Sequence, residues 1–427
     1  MNNLNNNMYN FNNIFNNNFV NNNNIYNNIS SFNNNNLLFN PMLNYMNQFM
    51  NMFNTQNQIN NNNSNKSINN NKIYPHRTGL ENVGQTCYMN ASLQCLSNIG
   101  TLSNNILKRY GTFNINTQQL SFAYSSLLFE LICTNKKTVC PKIFKNLIGE
   151  LNPLFANNQA SDAKDLILFI IERLHNELKV QNNQQEVNVQ YNPYQQEIES
   201  QNENLTLQKF LKDYQSNNKS IISDTFYGIM KSEMICTGCN RKKYSYQIFN
   251  MFNFILKKVK NDKLENIGDE YYDGLYLLDA FDSDKKKENL IGENMIHCNF
   301  CGGLRNGSHQ QTIYGLPSVL IIILNRGKNN VDFDEEFHFA EKLDLTSYVI
   351  NENSYKQFYL CGVITHLGES GSSGHFISYC RCNPNDKFLC YNDTSVFEVN
   401  VEDAMKTKIS NNIYEKKTPY ILFYHHL

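Results

Sequence analysis

The sequence has almost no excess of charge of either sign. Its 427 residues include 37 Lys and Arg against 38 Asp and Glu, which gives a formal net charge of −1 at pH 7. Residues 1–72 supply only two of these charges, Lys66 and Lys72, so the rest of the chain carries 35 basic and 38 acidic side chains. Proteins that bind nucleic acid usually present a basic surface. We therefore do not expect DNA or RNA as a main partner.

Long apolar runs are also missing. No stretch approaches the roughly 18 to 20 consecutive apolar residues of a membrane-spanning helix, and no basic segment leads into such a run at the N-terminus. The twelve cysteines are too sparse for a disulfide scaffold, and four of them form two C-x-x-C pairs, which favours a reducing compartment and a metal. We expect an intracellular monomer of the cytoplasm, with the nucleus as a second location, and neither membrane insertion nor secretion.

Asparagine, in contrast, is abundant at the N-terminus. Residues 1–72 contain 35 Asn, interrupted by apolar residues that follow no sustained helical or strand period. We expect a disordered, low-complexity tail. Two interpretations of it stand open, prion-like self-association and neutral filler, and we favour filler. A second polar tract at 181–218, rich in Gln and Asn, is predicted to be an insertion within a domain that spans residues 73–427.

Apolar periodicity predicts a core helix after Asp162, with Ser161 or Asp162 placed to cap it. Its apolar face consists of Ala163, Leu166, Ile167, Ile170, Ile171, Leu174 and Leu178. A shorter helix is predicted to start near Cys87. The last third of the chain instead contains β-branched and aromatic runs between Gly, Pro, Asn and Asp, which predict strands. These strands are at 319–324, 358–365, 375–382, 387–391 and 420–425. Helices followed by a largely antiparallel sheet indicate an α+β fold.

Cys87 lies where a glycine-containing loop is predicted to turn into a helix, in the segment 79–90 (GLENVGQTCYMN). The N–H groups and the partial positive charge of a helix N-terminus lower the pKa of a thiol and favour the thiolate, which attacks carbonyl carbon. Taken alone, a cysteine in this position is more often a small buried apolar residue. A base is therefore needed before Cys87 can be interpreted as a nucleophile.

His375 is the best candidate for that base, because it begins a predicted strand directly after a loop rich in Gly and Ser. If 375–382 and 387–392 form a hairpin, the two residue numbers of each cross-strand pair add up to about 769. His375 then lies opposite residue 394 and diagonal to Asn392. Asn392 can then orient the imidazole, as an Asp or Asn does in catalytic triads. Asp393 would point the other way unless the turn introduces a bulge.

Longer motifs surround both residues. Residues 79–96 (GLENVGQTCYMNASLQCL) contain the cysteine, and residues 374–396 (GHFISYCRCNPNDKFLCYNDTSV) contain the histidine. Between them come 159–166 (QASDAKDL), 226–228 (FYG) and 316–326 (LPSVLIIILNR). In this order the segments resemble the motifs of the ubiquitin-specific proteases, a family of papain-like cysteine deubiquitinases. The resemblance covers about residues 76–427.

The resemblance implies a fold and a reaction. The fold would be a papain-like α+β domain with a helical thumb at about 76–180, zinc-ribbon fingers at about 225–315 and an antiparallel β palm at about 316–427. In the implied reaction Cys87 attacks the carbonyl of ubiquitin's terminal glycine, His375 protonates the departing lysine amine, and water hydrolyses the thioester. No cofactor takes part in that chemistry.

Motif positions also imply the role of each residue. Cys87 would be the nucleophile, His375 the base and Asn392 its orienting partner. Asn82 matches the residue whose side-chain amide helps to form the oxyanion hole. Asp393 matches an acidic neighbour that supports catalysis.

Three residues are expected to contact ubiquitin. Asp162 and Asp165 lie one turn apart on the predicted helix, where they can meet a basic ubiquitin tail, with helix capping and solvent exposure as the alternatives. Gly374 ends the Gly/Ser-rich loop, which either closes over the tail or simply connects two strands. The sequence differs from the family's usual residues at three positions: it has Asp165 where the family usually has Glu, Gly327 where it usually has Phe, and Phe388 where it usually has Trp. These departures affect the expected substrate affinity more than the activity.

The two C-x-x-C pairs, Cys236 with Cys239 and Cys298 with Cys301, are separated by 58 residues. Four thiolates in two such pairs can close a tetrahedral structural zinc site, which the resemblance places at the tip of the fingers that grip ubiquitin. Free thiols or a decayed site are the alternatives.

Two other functions compete with an active deubiquitinase: a non-catalytic ubiquitin-binding scaffold, and a peptidase for other proteins or for a ubiquitin-like modifier.

Overall fold

In the computed structural model, helices come first along the folded chain and strands dominate later. The structure describes residues 75–179, 200–327, 333, 335–370, 373–405 and 416–427. The predicted tail at 1–72, the part of the polar tract before residue 200, and Gly371 and Ser372 of the glycine-rich loop lie outside the described residues. The predictions made for these segments stay predictions.

The helices of the described residues differ in how deeply they are buried. In chain order they are α1 Cys87–Ser97, α2 Gly100–Lys108, α3 Gln119–Leu128, α4 Lys142–Leu151, α5 Ala163–Leu178, α6 Glu203–Asn217, α7 Ile221–Phe226, α8 Leu256–Ile267, α9 Leu277–Lys285 and α10 Val401–Met405. All eleven residues of α1 are buried. The predicted core helix is α5, whose apolar face is buried as expected. Asp162 caps it, because its carboxylate accepts the N–H of Lys164 at 2.9 Å.

The strands of the described residues form two main sheets and three small pairs. In chain order they are β1 Gly79–Leu80, β2 Thr138–Val139, β3 Gly228–Cys236, β4 Lys242–Phe249, β5 Phe252–Ile255, β6 Leu275–Tyr276, β7 Glu288–Leu290, β8 Ile296–Cys298, β9 Gly303–Arg305, β10 Gly307–Gly315, β11 Val319–Asn325, β12 Phe337–His338, β13 Lys342–Asp344, β14 Gln357–Ser370, β15 Ser373–Cys380, β16 Phe388–Asn392, β17 Ser395–Val399 and β18 Lys417–His426. The five predicted strands are confirmed as β11, β14, β15, β16 and β18.

The smaller main sheet has the order β4-β3-β10-β7, with antiparallel neighbours throughout. The β8–β9 hairpin brings Cys298 opposite Gly303. Helix α6 packs against β4, and Phe210 of this helix contacts the ring of Tyr246. The second half of the predicted polar insertion is therefore helical, although none of the residues of α6 is buried.

The larger sheet has the order β17-β16-β15-β14-β18-β11-β5, and β13 pairs with β14 outside this path. It is antiparallel except for the parallel pair of β11 and β5. The register of β15 and β16 pairs Ser378 with Tyr391 and Tyr379 with Cys390, which confirms the predicted sum of 769. Buried apolar residues of this sheet pack with those of α8 and α9 in one core.

Helix α1 packs against β15, and this contact positions the candidate site. The helix carries Cys87 at its first residue, and the strand carries His375 near its start. Among the described residues, no helix is long and apolar enough to cross a membrane.

Candidate active site

Cys87 is the first residue of α1 and is only 6% exposed. The loop before it turns sharply, with positive φ angles of 116° at Gly84 and 49° at Gln85. The Gln85 side chain accepts the N–H of Ala160 at 3.1 Å, which ties this loop to the segment before α5. The predicted position of Cys87 at a helix N-terminus, where backbone N–H groups are unpaired, is thus confirmed.

His375 lies between Cys87 and Asn392. Its Nε2 atom is 2.7 Å from Oδ1 of Asn392, which leaves Nδ1 for the sulfur of Cys87. The hydrogen bond to Cys87 raises the pKa of His375 to about 9, helped by Asn392 and opposed by burial. The structure therefore brings together the three residues that the sequence predicted as a triad. An imidazole held in this way by a neighbouring thiol and an amide is suited to proton transfer.

Asn82 is held by bonds to both ends of its carboxamide. Oδ1 accepts the N–H of Thr86 at 3.0 Å and that of Gly84 at 3.3 Å. Nδ2 donates to Oδ2 of Asp393 at 3.0 Å. These bonds fix which end of the amide is the donor and leave its second N–H for a ligand. A neutral donor of this kind, fixed before substrate binds, is what an oxyanion hole requires.

Asp393 lies in the tight turn between β16 and β17, with a positive φ of 48°. Its carbonyl oxygen accepts the N–H of Leu80 at 2.8 Å. Its carboxylate accepts from Asn82 and also from Nδ2 of Asn90 at 2.8 Å. The left-handed turn thus redirects Asp393 towards the segment of the nucleophile, which the sequence allowed only if the turn was irregular. The contact with Asn90 was not predicted, because alternation along strands does not reach across to α1.

Gly374 and His366 lie against each other on β15 and β14. Gly374 has a φ of 154°, and a Cβ atom placed on it would lie 2.3 Å from Cε1 of His366 and 2.4 Å from the carbonyl oxygen of Leu367. Burial lowers the pKa of His366 to about 4, and the positive charge of His375 adds to this. Glycine is therefore required at position 374 by packing, whatever its part in substrate binding.

Asp162 and Asp165 differ in what they contact. Besides capping α5, Asp162 accepts the hydroxyl of Tyr420 at 2.6 Å and the ammonium of Lys164 at 2.7 Å. Asp165 is 44% exposed, and its nearest cation is Lys164 at 3.7 Å. The bonds of the Asp162 carboxylate within the protein account for an aspartate at that position, whereas the carboxylate of Asp165 faces solvent. Contact of either residue with ubiquitin stays a prediction.

A second cluster lies at the end of the smaller sheet. The sulfur atoms of Cys236, Cys239, Cys298 and Cys301 all lie within 4.8 Å of one another, a group that can hold a metal ion. Two of their separations are 3.7 Å and 4.0 Å, and tetrahedral Zn–S bonds of about 2.3 Å place sulfur atoms roughly 3.8 Å apart. Although burial opposes ionisation of Cys236, the N–H groups of Cys239 and Gly238 lower its pKa to about 7.

A cysteine at a helix N-terminus, bonded to a histidine that an asparagine orients, is the arrangement of cysteine hydrolases with a papain-like triad. Comparison with known proteins agrees with this class. The family model described as ubiquitin carboxyl-terminal hydrolase matches residues 78–424. The chain belongs to this family, and the α+β fold with its antiparallel sheets is that expected of the catalytic domain of a ubiquitin-specific protease.

Curated relatives carry the same family name. Ubiquitin carboxyl-terminal hydrolase Usp2 of Drosophila melanogaster is 26% identical over 81% of this chain and 34% of its own length. Human ubiquitin carboxyl-terminal hydrolase 2 is 26% identical over 83% of this chain and 56% of its own length. Ubiquitin carboxyl-terminal hydrolase 4 of Candida glabrata is 27% identical over 82% of this chain and 41% of its own length. The chain thus spans between about a third and just over half of the length of these relatives.

Proposed function

We propose that this protein is a thiol-dependent deubiquitinase that hydrolyses the thioester, peptide or isopeptide bond at the C-terminal glycine of ubiquitin. The observation that carries the proposal is the contact of Cys87, His375 and Asn392 within a domain of the ubiquitin carboxyl-terminal hydrolase family. Ubiquitin and ubiquitinated proteins are its partners, and protein conjugates lose ubiquitin in the reaction.

The first half of the reaction forms a thioester. Cys87 passes its proton to His375 and attacks as a thiolate. As the C–S bond forms, the carbonyl electron pair moves to oxygen, where the free N–H of Asn82 and the N–H groups at the start of α1 stabilise the negative charge. The tetrahedral intermediate then expels the lysine amine, which takes its proton from His375.

The second half restores the enzyme. Neutral His375 accepts a proton from a water molecule, and the resulting hydroxide equivalent attacks the thioester carbonyl. The C–S bond breaks, Cys87 is again a thiolate beside protonated His375, and the new carboxylic acid of ubiquitin loses its proton to solvent. Asn392 keeps the imidazole in one orientation through both halves, because its Oδ1 accepts only from a protonated Nε2.

The four-cysteine group is proposed to hold a structural zinc ion. Four sulfur ligands at tetrahedral spacing leave no position for a bound water, so the ion stabilises the end of the smaller sheet and takes no part in the reaction. Zinc also suits the reducing cytoplasm or nucleus that we propose as the location, since the nucleophile and the metal ligands must all stay unoxidised.

Ubiquitin contacts are proposed at Asp165, Asp162 and Gly374. The solvent-facing carboxylate of Asp165 supports an ion pair with a basic tail, because it is more exposed than that of Asp162. The ammonium of Lys164 is also farther from Asp165, at 3.7 Å, than from Asp162, at 2.7 Å. Asp162 contributes by holding Tyr420 in place. Gly374 leaves the chain free of a side chain directly beside the catalytic histidine.

Three fluorogenic amides test this function. Full-length ubiquitin, a ubiquitin-like modifier and a short peptide of the ubiquitin tail each carry the same C-terminal leaving group, and Cys87→Ala is the control. We expect the native protein to cleave the ubiquitin substrate fastest and Cys87→Ala to cleave none. Preference for the modifier or the peptide would overturn the substrate assignment. Ubiquitin binding with no cleavage by folded native protein would instead favour the scaffold.

A further inference from the structure

Asn90 lies one helical turn after Cys87 on α1 and is 2% exposed. Its Nδ2 atom is surrounded by three oxygen acceptors: Oδ1 of Asp393 at 2.8 Å and the carbonyl oxygens of Glu81 at 3.2 Å and Leu80 at 3.4 Å. Three acceptors around one atom require a donor, so the orientation of the amide is fixed by its surroundings. Its Oδ1 is buried without a hydrogen-bond partner in the described structure.

A buried amide that leaves its carbonyl unpaired is costly to stability. The bond that Asn90 makes in return is to a carboxylate, and such charge-assisted bonds are the stronger kind. The other oxygen of that same carboxylate accepts from Nδ2 of Asn82 at 3.0 Å. Asn90, Asp393 and Asn82 thus form a chain of two hydrogen bonds that ends at the amide facing the oxyanion position.

We propose that Asn90 is a positioning residue for the reaction: it holds the Asp393 carboxylate, and through it the Asn82 amide, at the place where the oxyanion develops. This inference rests on the proposed function. Asp393 needs such support, because it lies in a turn with positive φ, where the backbone of a non-glycine residue is strained. Among the described residues the Asn90 side chain bonds to Leu80, Glu81 and Asp393 and makes no hydrogen bond to Cys87 or His375, so it acts through its neighbours.

Gln94 provides a matched control on the same helix. It lies one turn beyond Asn90 and is 1% exposed. Its Nε2 donates to the carbonyl oxygen of Thr78 at 3.0 Å, and its Oε1 has no hydrogen-bond partner among the described residues. It therefore shares with Asn90 a buried amide bonded to the N-terminal segment, but it has no bond to Asp393. Loss of either amide should lower stability, whereas loss of Asn90 alone should slow the chemical step.

The experiment measures kcat and KM with the fluorogenic ubiquitin amide, and Tm, for Asn90→Ala, Gln94→Ala, Asn82→Ala and the double variant Asn82→Ala/Asn90→Ala. We expect Asn90→Ala to lower kcat by about tenfold or more, since one oxyanion donor contributes about 10²- to 10³-fold. KM should stay within about twofold. The double variant should be within about threefold of Asn82→Ala, because the two residues act on one donor. Gln94→Ala should keep native kcat.

Several outcomes would overturn the inference while leaving the proposed function intact. These are a native kcat in Asn90→Ala, an additive loss in the double variant, or an equal loss of kcat in Gln94→Ala. If Asn90→Ala does not fold, Asn90→Ser takes its place, because its hydroxyl stays polar but is one bond too short to hold Asp393. Absence of turnover by the native protein would instead contradict the proposed function itself.

Discussion

His375 and Asn392 are joined by a 2.7 Å hydrogen bond between Nε2 and Oδ1, although they lie on different strands. Asn392 is the last residue of β16, one beyond the last residue that pairs with β15, and so reaches diagonally to the imidazole. We predict that Asn392→Ala lowers kcat by about tenfold to a hundredfold, because the imidazole loses its orientation. Asn392→Asp keeps an acceptor and should lose much less. Steady-state kinetics with a ubiquitin reporter measures both, and equal activity of native protein and Asn392→Ala would contradict the assigned role.

The titration of His375 provides a second prediction. Its pKa of about 9 has the hydrogen bond to Cys87 as its largest cause, so Cys87→Ala should move the pKa down towards the ordinary value of about 6.5. The folded pKa is above the unfolded one. The pair therefore contributes fully to the free energy of unfolding below about pH 6.5, and this contribution is lost as the pH rises to about 9.

Imidazole signals followed by NMR across pH 5 to 10 measure this shift directly, with His375→Ala identifying the resonance. His366 serves as an internal comparison, because burial lowers its pKa to about 4, so its ring should stay neutral across this range in both proteins. Identical titration of His375 in the native protein and in Cys87→Ala would show that the two side chains do not interact.

Gly374→Ala should destabilise the protein. A Cβ atom there lies 2.3 Å from the ring of His366 and 2.4 Å from a backbone oxygen, and the ring is held between Phe376 and Phe333. We expect a loss of about 1–3 kcal/mol in the free energy of unfolding. Gly100→Ala is the control, since its Cβ would meet nothing within 4 Å. Denaturant unfolding compares the two, and equal stability would contradict the packing at Gly374.

Metal removal provides a fourth prediction. We expect about one zinc per chain by elemental analysis, and a lower Tm after treatment with a strong chelator, because binding energy at such a site is folding energy. Cys239→Ser should reproduce the loss of zinc, whereas Cys133→Ser, which changes a cysteine outside the cluster, should bind a full equivalent. A native protein that is free of metal yet unaffected by chelator would contradict the zinc assignment.

Much of the fold could be predicted because it follows from local pattern. The period of apolar residues determined α5 and its cap, and turn residues between β-branched runs determined β15 and β16 together with their register. Cys87 and His375 were found because helix starts and strand starts after glycine-rich loops are visible in the sequence. The resemblance to a family added the proposed oxyanion role of Asn82, which no periodicity indicates.

The rest depended on contacts between distant segments. Asn90 looks like an ordinary polar residue within a helix, and only the left-handed turn at Asp393 brings its partner within reach. The helix α6 was hidden in a tract rich in Gln and Asn, because its contacts, such as that of Phe210 with Tyr246, involve a distant strand. Asp162 was recognised as a cap, but its bond to Tyr420 spans 258 residues.

The central claim is that Cys87 is the nucleophile and is aligned with the C-terminus of bound ubiquitin. Ubiquitin with an electrophilic C-terminal warhead tests it most directly, with native protein and Cys87→Ala analysed by intact mass spectrometry. Cys140→Ala is the control for an accessible cysteine outside the triad, since Cys140 is exposed. We predict a single ubiquitin-sized adduct on the native protein and on Cys140→Ala, and none on Cys87→Ala. No adduct on folded native protein, or an adduct that survives Cys87→Ala, would contradict the account.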